Sequence, residues 1–286
     1  KEGVMVKSEF DGQVKYYDAQ GHLTLIENLD NGKTYGQQKF YYPSGQLKTE
    51  YRTGNKDEQT EYHEYYIDGT KKQDGFIKDD KRVGQWTSYQ PSGEISSTKQ
   101  YDDNGETDGE SIEYFSNGKI NIKITHNHGK NVKYEGYGMI TGFPTCTYLF
   151  DNGKLTSVTN YMPDGTVREK RTVKGNKVSF DLYSELGYKK LSGTLDADFN
   201  WQGLNTVYAA NGQVIQECTY KNDQLNGEKK EYYENGRLKA HGNYKDDSAN
   251  GYYAEYYNNK ENSITTEYYV ENDTIKGVVI ESKSGR

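Results

Sequence analysis

The chain has 286 residues, a net charge of −7 and a pI of about 5.4, and no stripe of Lys and Arg stands out. This charge argues against nucleic acid and anionic membrane surfaces as partners. A mean hydropathy of −1.10 alone would indicate disorder, but 29 tyrosines and 31 glycines with only 4 prolines do not fit a disordered chain. Because tyrosine favours strands and glycine favours turns, the composition predicts a β-rich protein.

A repeat of about 24 residues runs through the sequence, marked by an aromatic pair, two or three turn-forming residues and a glycine. Residues 41–47, Tyr-Tyr-Pro-Ser-Gly-Gln-Leu, are one copy. In chain order the glycine position is occupied by Gly21, Gly45, Gly69, Gly93, Gly118, Gly142, Gly165, Gly187, Gly212, Gly236, Lys260 and Gly285. Chance does not produce such a series at spacings of 22 to 25 residues.

A tyrosine stands four residues before this position in ten of the twelve repeats, with Gly138 and Glu281 as the exceptions. The ten are Tyr17, Tyr41, Tyr65, Tyr89, Tyr114, Tyr161, Tyr183, Tyr208, Tyr232 and Tyr256. A second turn is predicted midway through the repeat, at Asn31-Gly32, Asn104-Gly105, His128-Gly129, Asn152-Gly153, Lys174-Gly175, Asn222-Asp223, Asp246-Asp247 and Asn272-Asp273. Two turns per repeat leave room for two strands of about six to eight residues.

The prolines fit the same scheme, since Pro43, Pro91 and Pro163 each stand two residues before the repeat glycine. Proline suits the second position of a type I turn, and glycine then completes the short hairpin loop. Consecutive hairpins with short loops pair neighbour to neighbour. The sequence therefore predicts an all-β fold: an elongated, open, single-layer antiparallel β-meander of about twelve 24-residue hairpin repeats. One domain over residues 1–286 is expected, with irregular repeats at about 130–205 and about 23 strands in all.

Two further expectations concern the cysteines and the C-terminal tail. Cys146 and Cys218 are 72 residues apart. Three repeats of two strands would separate them by roughly 29 Å, too far for a disulfide, so two free thiols are expected. The tail at 277–281 is more apolar than its neighbours and is expected to pack as the final strand or to pair at its edge with another chain.

The copy at residues 228–239, Glu-Lys-Lys-Glu-Tyr-Tyr-Glu-Asn-Gly-Arg-Leu-Lys, followed by Gly242-Asn243-Tyr244 and Gly251, resembles the MORN repeat variant. That family includes bacterial proteins described as antitoxin or immunity components. The resemblance implies a twisted single-layer sheet that binds other proteins or lipid surfaces. The chain lacks the regular tryptophan of standard MORN repeats, because only Trp86 and Trp201 occur. Residues 16–24 are also similar to the tyrosine-aspartate repeats of large toxin shells.

The sequence shows no catalytic constellation, and no cofactor or metal is predicted. His126 and His128 could share a strand face, but two ligands without a third make a poor metal site. The acidic stretch at 102–110 has the composition of a calcium loop without the ligand spacing of one. The 43 carboxylates are scattered over turns and exposed strand positions, so a glycosidase pair has no specific signal.

The aromatic positions admit a structural and a functional interpretation. The ten-member tyrosine column is interpreted as a cross-strand ladder that stabilises a thin sheet. Aromatic residues also give large contact area at low entropic cost, so a sparser second set is a candidate for partner binding. That set is Tyr42, Tyr66, Phe115, Tyr233 and Tyr257. The irregular stretch with Tyr137, Met139 and Phe143 is a second candidate.

The preferred function is a non-enzymatic repeat scaffold or adaptor that binds a protein partner along its extended sheet in a bacterial extracytoplasmic complex. A removed leader before Lys1 would place it in the periplasm or at the cell surface, whereas a cytoplasmic location stays open. Two alternatives are kept. One is an immunity or antitoxin protein that neutralises a toxin, with an acidic surface against a basic target. The other is a carbohydrate-binding protein that uses tyrosine rings as sugar platforms.

Overall fold

The computed structural model describes residues 1–6, 9–53, 58–259, 261, 263–277 and 280–281. Within them lie 26 strands and no helix. The chain divides into two compact units, one formed by Lys1–Gly142 with Phe150–Gly153 and the other by Phe143–Leu149 with Lys154–Arg286. The expectation of a single domain over 1–286 stays a prediction.

The first unit is an antiparallel meander in which each strand pairs with its neighbour in sequence. The short β4 pairs with the end of β3, and β5 pairs with the rest of it. Its strands are β1 (Glu2–Val6), β2 (Glu9–Tyr17), β3 (Leu23–Asp30), β4 (Lys33–Thr34), β5 (Gly36–Tyr41), β6 (Leu47–Thr53), β7 (Thr60–Tyr65), β8 (Lys71–Lys78), β9 (Lys81–Tyr89), β10 (Ile95–Tyr101), β11 (Thr107–Tyr114), β12 (Ile120–Asn127) and β13 (Lys130–Tyr137).

The second unit repeats this plan, with antiparallel neighbours from β15 to β24. Most of β14 (Pro144–Asp151) belongs to this unit. Its other strands are β15 (Lys154–Tyr161), β16 (Val167–Lys174), β17 (Lys177–Tyr183), β18 (Lys189–Leu195), β19 (Trp201–Tyr208), β20 (Val214–Lys221), β21 (Gln224–Tyr232), β22 (Leu238–Lys245), β23 (Ser248–Tyr256), β24 (Ile264–Glu271), β25 (Thr274–Ile275) and β26 (Ile280–Glu281).

The predicted fold class, an all-β open antiparallel meander, is confirmed. Three of the 26 described strands have only two residues, which accounts for the excess over the predicted 23. Ile280 and Glu281 pair with β24, so this part of the tail continues the sheet of its own chain. Val278 and Val279 lie outside the described residues, as do Lys260 and Gly285 of the glycine column. Edge pairing with another chain stays a prediction.

Eleven strands end at a column tyrosine, namely β2 and the odd-numbered strands from β5 to β23, and one of them corrects the sequence analysis. Strand β13 ends at Tyr137, and its neighbour Glu135 pairs with Lys123 of β12. Tyr137 therefore occupies the column position that was assigned to Gly138. The assignment failed because the following loop is one residue longer: Gly142 donates to the carbonyl of Gly138, four residues back. The eleven column tyrosines, from Tyr17 to Tyr256, form an unbroken series.

The hairpin loop has one recurring geometry after nine of the eleven column tyrosines, all except Tyr137 and Tyr256. In the loop after Tyr41, the backbone N–H of Tyr42 donates to Gln46 O (2.9 Å) and that of Gly45 donates to Tyr42 O (2.8 Å). Gly45 has φ +91°, the left-handed region that glycine enters without steric cost. The pairing register then shifts by one residue between Phe40 and Tyr41, which is a β-bulge. The predicted short loop with a left-handed glycine is confirmed.

The second turn is a two-residue loop, and in seven of its copies both residues have positive φ, for example +48° at Asn31 and +76° at Gly32. This geometry matches the right-handed twist of the strands it joins. Asn104-Gly105 was wrongly placed in this class, because Asp102 N–H bonds Glu106 O and forms the longer loop type. Asp79-Asp80 is a two-residue turn that the composition analysis missed, with φ of +48° and +61°. Lys174 pairs with Lys177, so that loop is Gly175-Asn176 rather than Lys174-Gly175.

These second turns also join one repeat to the preceding one. In the second unit, Asp247 N–H donates to Leu225 O (3.0 Å), and Leu225 N–H donates to the Asp247 carboxylate (2.7 Å). The same reciprocal pair joins Asp223 to Trp201, and Asp273 to Ala249. Because the partners are 22 to 24 residues apart, these bonds contribute to the spacing of the repeat.

Each strand of the meander presents alternate residues to opposite faces. We call the face with the column tyrosines the tyrosine face and the other the packed face. The residue three before the column tyrosine points to the packed face and is the best-covered position of the repeat. Its buried members are Val14, Gln38, Trp86, Ser111, Phe180 and Asn205. The buried residues are thus spread along the repeats, as expected when each repeat contacts only its neighbours.

Candidate interaction surface

Six of the eleven column tyrosines form a side-chain hydrogen bond through their hydroxyl group. Tyr65 donates to the Glu50 carboxylate at 3.0 Å, and Tyr232 donates to that of Glu217 at 2.6 Å. Burial, and then the hydrogen bond to Glu50, raises the pKa of Tyr65 to about 12. Tyr208 shares a hydrogen bond of 3.0 Å with Ser192. These contacts support the structural interpretation of the column.

The second aromatic set forms a different ladder, from one repeat to the next. The hydroxyls of Tyr42, Tyr66 and Tyr233 donate to the backbone carbonyls of Tyr65, Tyr89 and Tyr256, at 2.9, 2.9 and 2.8 Å. In each case the acceptor is the column tyrosine of the following repeat. The hydroxyls therefore fix the loop end of one repeat to the next, and the half-buried rings lie beside these bonds.

Phe115 and Tyr257 occupy the same repeat position as these three tyrosines. Phe115 has no hydroxyl, and it closes its loop through backbone bonds with Lys119 and Gly118. The backbone N–H of Tyr257 donates to Ser263 O at 2.8 Å. Partner binding by the five members of this set stays a prediction.

The irregular stretch holds the other three predicted binding residues. Tyr137 is half-buried and belongs to the column, with its pKa raised by burial and then by the charge of Glu135. Met139 in the first unit is 45% exposed, and its neighbour Ile140 is 88% exposed. Phe143 belongs to the second unit, is 49% exposed, and packs beside the backbone of Gly165. Met139 and Phe143 are thus accessible, whereas Tyr137 has a structural position.

A run of rings on the packed face of the first unit was missed by the sequence analysis. Ring centroids lie 5.9 Å apart between Phe40 and Tyr51, 6.0 Å between Tyr51 and Tyr62, and 5.1 Å between Tyr62 and Trp86. The indole of Trp86 is buried and donates to Phe76 O at 3.0 Å, and the Arg82 guanidinium lies 4.1 Å from its centroid. Gly75 makes room for this ring. The signal was present in the position three before the column, which holds Tyr62 and Trp86.

The positions weighed as ion sites have ordinary structural roles. The carboxylate of Asp102 accepts the backbone N–H groups of Asn104 and Glu106, at 2.9 and 2.8 Å, and so closes its own loop. His128 lies in a two-residue turn, and its N–H bonds the Asp108 carboxylate. Burial, and then the charge of Lys99, lowers the pKa of His126. In the described part of the chain, no three His, Cys, Asp or Glu side chains lie together in a way that could hold a metal ion.

The two cysteines carry free thiols. Cys146 is half-buried and Cys218 is buried. Burial raises the pKa of the Cys218 thiol, which makes it a small apolar side chain rather than a reactive one.

The fold and these contacts define an antiparallel β-hairpin repeat protein. Four segments match the family model of the MORN repeat variant, at residues 34–55, 107–128, 201–222 and 225–246. These segments are MORN-variant repeats, and the resemblance seen in the sequence is confirmed for them. No curated protein matches the chain. No helix in the described residues has the length and apolar character needed to cross a bilayer.

Solved structures resemble the chain only distantly. The crystal structure of TcdB2-TccC3-Cdc42 matches at 11% identity over 94% of this chain and 18% of that chain, with a TM-score of 0.25. The match therefore spans less than a fifth of that chain's length. A porin-like protein from Bacteroides uniformis ATCC 8492 matches at 9% identity over 93% and 92% of the two chains, with a TM-score of 0.22. At TM-scores this low, neither likeness bears on function.

Proposed function

We propose that the chain is a non-enzymatic repeat scaffold that binds a protein partner along its sheet, in a bacterial extracytoplasmic complex. The observation that supports this proposal is the bonding between repeats through Tyr42, Tyr66 and Tyr233. These bonds hold the side chains of each unit in fixed rows at one repeat spacing. Fixed rows reduce the entropy that is lost on binding, which suits a docking surface.

The first test is an affinity pull-down of the intact protein from its native extract, with mass spectrometry of what is retained. Met139→Ser and Phe143→Ser each remove an accessible apolar side chain. Leu186→Ser is the matched control, because Leu186 is an 87% exposed side chain in another loop. A stoichiometric partner that is lost with the first two variants and kept by the control supports the proposal. Retention by all three variants excludes the irregular stretch as the docking surface.

The identity of the retained partner separates the alternatives. A basic toxin domain would make the chain an immunity protein, because its net charge of −7 is complementary to such a target. If no protein is retained at all, the scaffold proposal fails.

Carbohydrate binding is a second candidate because of the ring run on the packed face of the first unit. Phe40, Tyr51 and Tyr62 are only half-buried. The test is a glycan array with the wild type and with Tyr51→Ala. Retention of a polysaccharide that depends on Tyr51 would put this function first. An array without a signal would remove it.

A further inference from the structure

The β-bulges beside ten of the column tyrosines each carry an extra residue on the packed face, and in two repeats this residue is a lysine paired with a glutamate. Tyr65 pairs with Lys71 and Glu64 pairs with Gln73, so Lys72 is the extra residue. Its ammonium lies 2.7 Å from the Glu64 carboxylate. The same arrangement places Lys239 at 3.6 Å from Glu231. In both cases the lysine follows its glutamate by eight residues.

Two consecutive repeats of the second unit keep the cation and lose this carboxylate. Arg168 and Lys190 are the extra residues of their bulges. The residues eight before them are Asn160 and Leu182 in place of glutamate. Neither cation has an ion pair or hydrogen bond with any described residue, and both are exposed.

The two cations border a hollow of about 540 Å³ on the packed face of the second unit. Its floor is apolar and consists of Leu182, Leu191 and Val207, which are consecutive cross-strand neighbours. All three floor side chains are uncharged aliphatic groups.

The remaining titratable groups of the hollow leave it positive. Glu169 accepts from Arg171 Nε and from Asn160 Nδ2, so its charge is compensated. Tyr183 also lines the hollow. With Arg168, Arg171 and Lys190 against Glu169, the formal charge of the lining is +2.

This positive site belongs to a larger inversion of charge. Residues 154–190 contain eight Lys and Arg and four Asp and Glu, a net charge of +4. Since the whole chain carries −7, the rest of it carries −11. A partner that is drawn to the hollow by charge is therefore repelled by the remainder of the chain, which favours one docking position.

We propose that this hollow binds an acidic peptide segment of a protein partner, with an aliphatic or aromatic side chain on the floor and flanking carboxylates on Arg168 and Lys190. The inference rests on the proposed scaffold function and adds the chemistry of the partner. An apolar floor needs an apolar anchor, and two unpaired cations on its border need two anions beside that anchor.

The test is fluorescence anisotropy with a blocked, fluorescein-labelled nonapeptide library that has Leu, Phe or Trp at the centre and Asp or Glu around it. The matched arm carries Asn and Gln at the flanking positions. We expect at least one acidic member to bind and its neutral counterpart to bind at least tenfold more weakly. We expect the double variant R168Q/K190Q to weaken the acidic peptide about tenfold, as two partly exposed ion pairs would.

The control variant is K170Q/K174Q, which removes two cations from the same strand β16. Lys170 pairs across the strands with Asp181 and Lys174 with Lys177, on the opposite face, so less than a twofold change is expected. Equal losses in the two double variants would overturn the proposal in favour of non-specific attraction. The absence of any acidic member with a Kd below 1 mM would overturn it as well.

Leu182→Glu is the matching gain of a carboxylate. It recreates the eight-residue spacing of Glu64 and Lys72 beside Lys190, so we expect peptide binding to be lost while circular dichroism still shows a folded chain. Because Glu169 lies directly across the strands from residue 182, the midpoint of thermal unfolding should fall somewhat, and the peptide is titrated well below that midpoint. Displacement of the peptide by polyphosphate at equal charge concentration would show a polyanion site and contradict the peptide proposal. If native pull-down retains a partner and R168Q/K190Q keeps it, the site is wrong and the scaffold function stands.

Discussion

Gly75 is the position at which the packed face of the first unit is most sensitive to added volume. A Cβ atom at Gly75 would lie 2.4 Å from Cδ2 and 2.6 Å from Cε2 of Trp86, far inside contact distance. The indole cannot move freely, because it is buried, bonded to Phe76 O and packed on Tyr62. We therefore expect Gly75→Ala to displace the ring.

The magnitude follows from two contributions. Forcing one extra carbon into a packed site costs about 1–3 kcal/mol. Loss of the indole hydrogen bond adds about 1 kcal/mol. The free energy of unfolding of the first unit should thus fall by about 2–4 kcal/mol, although alanine ordinarily stabilises a strand relative to glycine by about 0.5–1 kcal/mol.

The assay is urea unfolding, followed by circular dichroism and by tryptophan fluorescence. The two tryptophans, Trp86 and Trp201, lie one in each unit, so Trp201 reports whether the second unit is unaffected. A double-mutant cycle with Trp86→Val isolates the clash, because Gly75→Ala should cost nothing once the indole is absent. An unchanged urea midpoint for Gly75→Ala in the wild-type background would refute the reasoning.

Three further predictions follow from the bonds between repeats. Tyr66→Phe keeps the ring and removes the bond to Tyr89 O, so the free energy of unfolding should fall by about 0.5–1.5 kcal/mol in urea titrations; no change would mean that water replaces the bond without loss. Asp247→Ala loses the bond to Leu225 N–H and places alanine at φ +70°, so the free energy of unfolding should fall by about 2 kcal/mol in thermal unfolding. Asp247→Asn keeps an acceptor and is a residue that tolerates this φ, so its free energy of unfolding should be nearly that of the wild type. The pKa of Tyr65 is raised to about 12, so its neutral form stabilises the fold fully below about pH 10, and this contribution is lost as the pH rises to about 12. In Tyr65→Phe the free energy of unfolding should therefore depend less on pH between about 10 and 12. A tyrosinate absorbance change at 295 nm that is complete by pH 10.5 would contradict this prediction.

The fold could be predicted from sequence because each turn is specified locally. Gly45 and the pair Asn31-Gly32 adopt positive φ and mark tight turns between two strands. Such turns leave few ways for the flanking strands to pair other than with each other. The column position of Tyr137 could not be read, because alignment on Gly142 hides a loop that is one residue longer. The register with Lys123 shows it only once the strands are paired.

The candidate site was less accessible to sequence reasoning. Alternation along a strand assigns residues to faces, but a β-bulge interrupts that alternation. The face of the sheet to which Arg168 and Lys190 point therefore cannot be deduced by counting residues from the column tyrosine. A signal was nevertheless present: comparison with the pair Glu64 and Lys72 shows which repeats lack the carboxylate. The hydroxyl bonds of Tyr42 and Tyr66 depend on the distance to the next repeat, which composition does not contain.

The ladder of hydroxyl bonds has a consequence for how such a chain can change its length during evolution. The donor Tyr42 and the donor Tyr66 are 24 residues apart, and so are their acceptors, Tyr65 and Tyr89. Deletion of residues 42–65 would join Tyr41 to Tyr66 and leave the bond from Tyr66 to Tyr89 O in place. Loss or duplication of one whole repeat thus preserves every donor and acceptor at the junction, whereas an insertion of a few residues between a donor and its acceptor does not. A change of length by one whole repeat is therefore expected to cost less stability than an insertion that moves a donor tyrosine away from its acceptor.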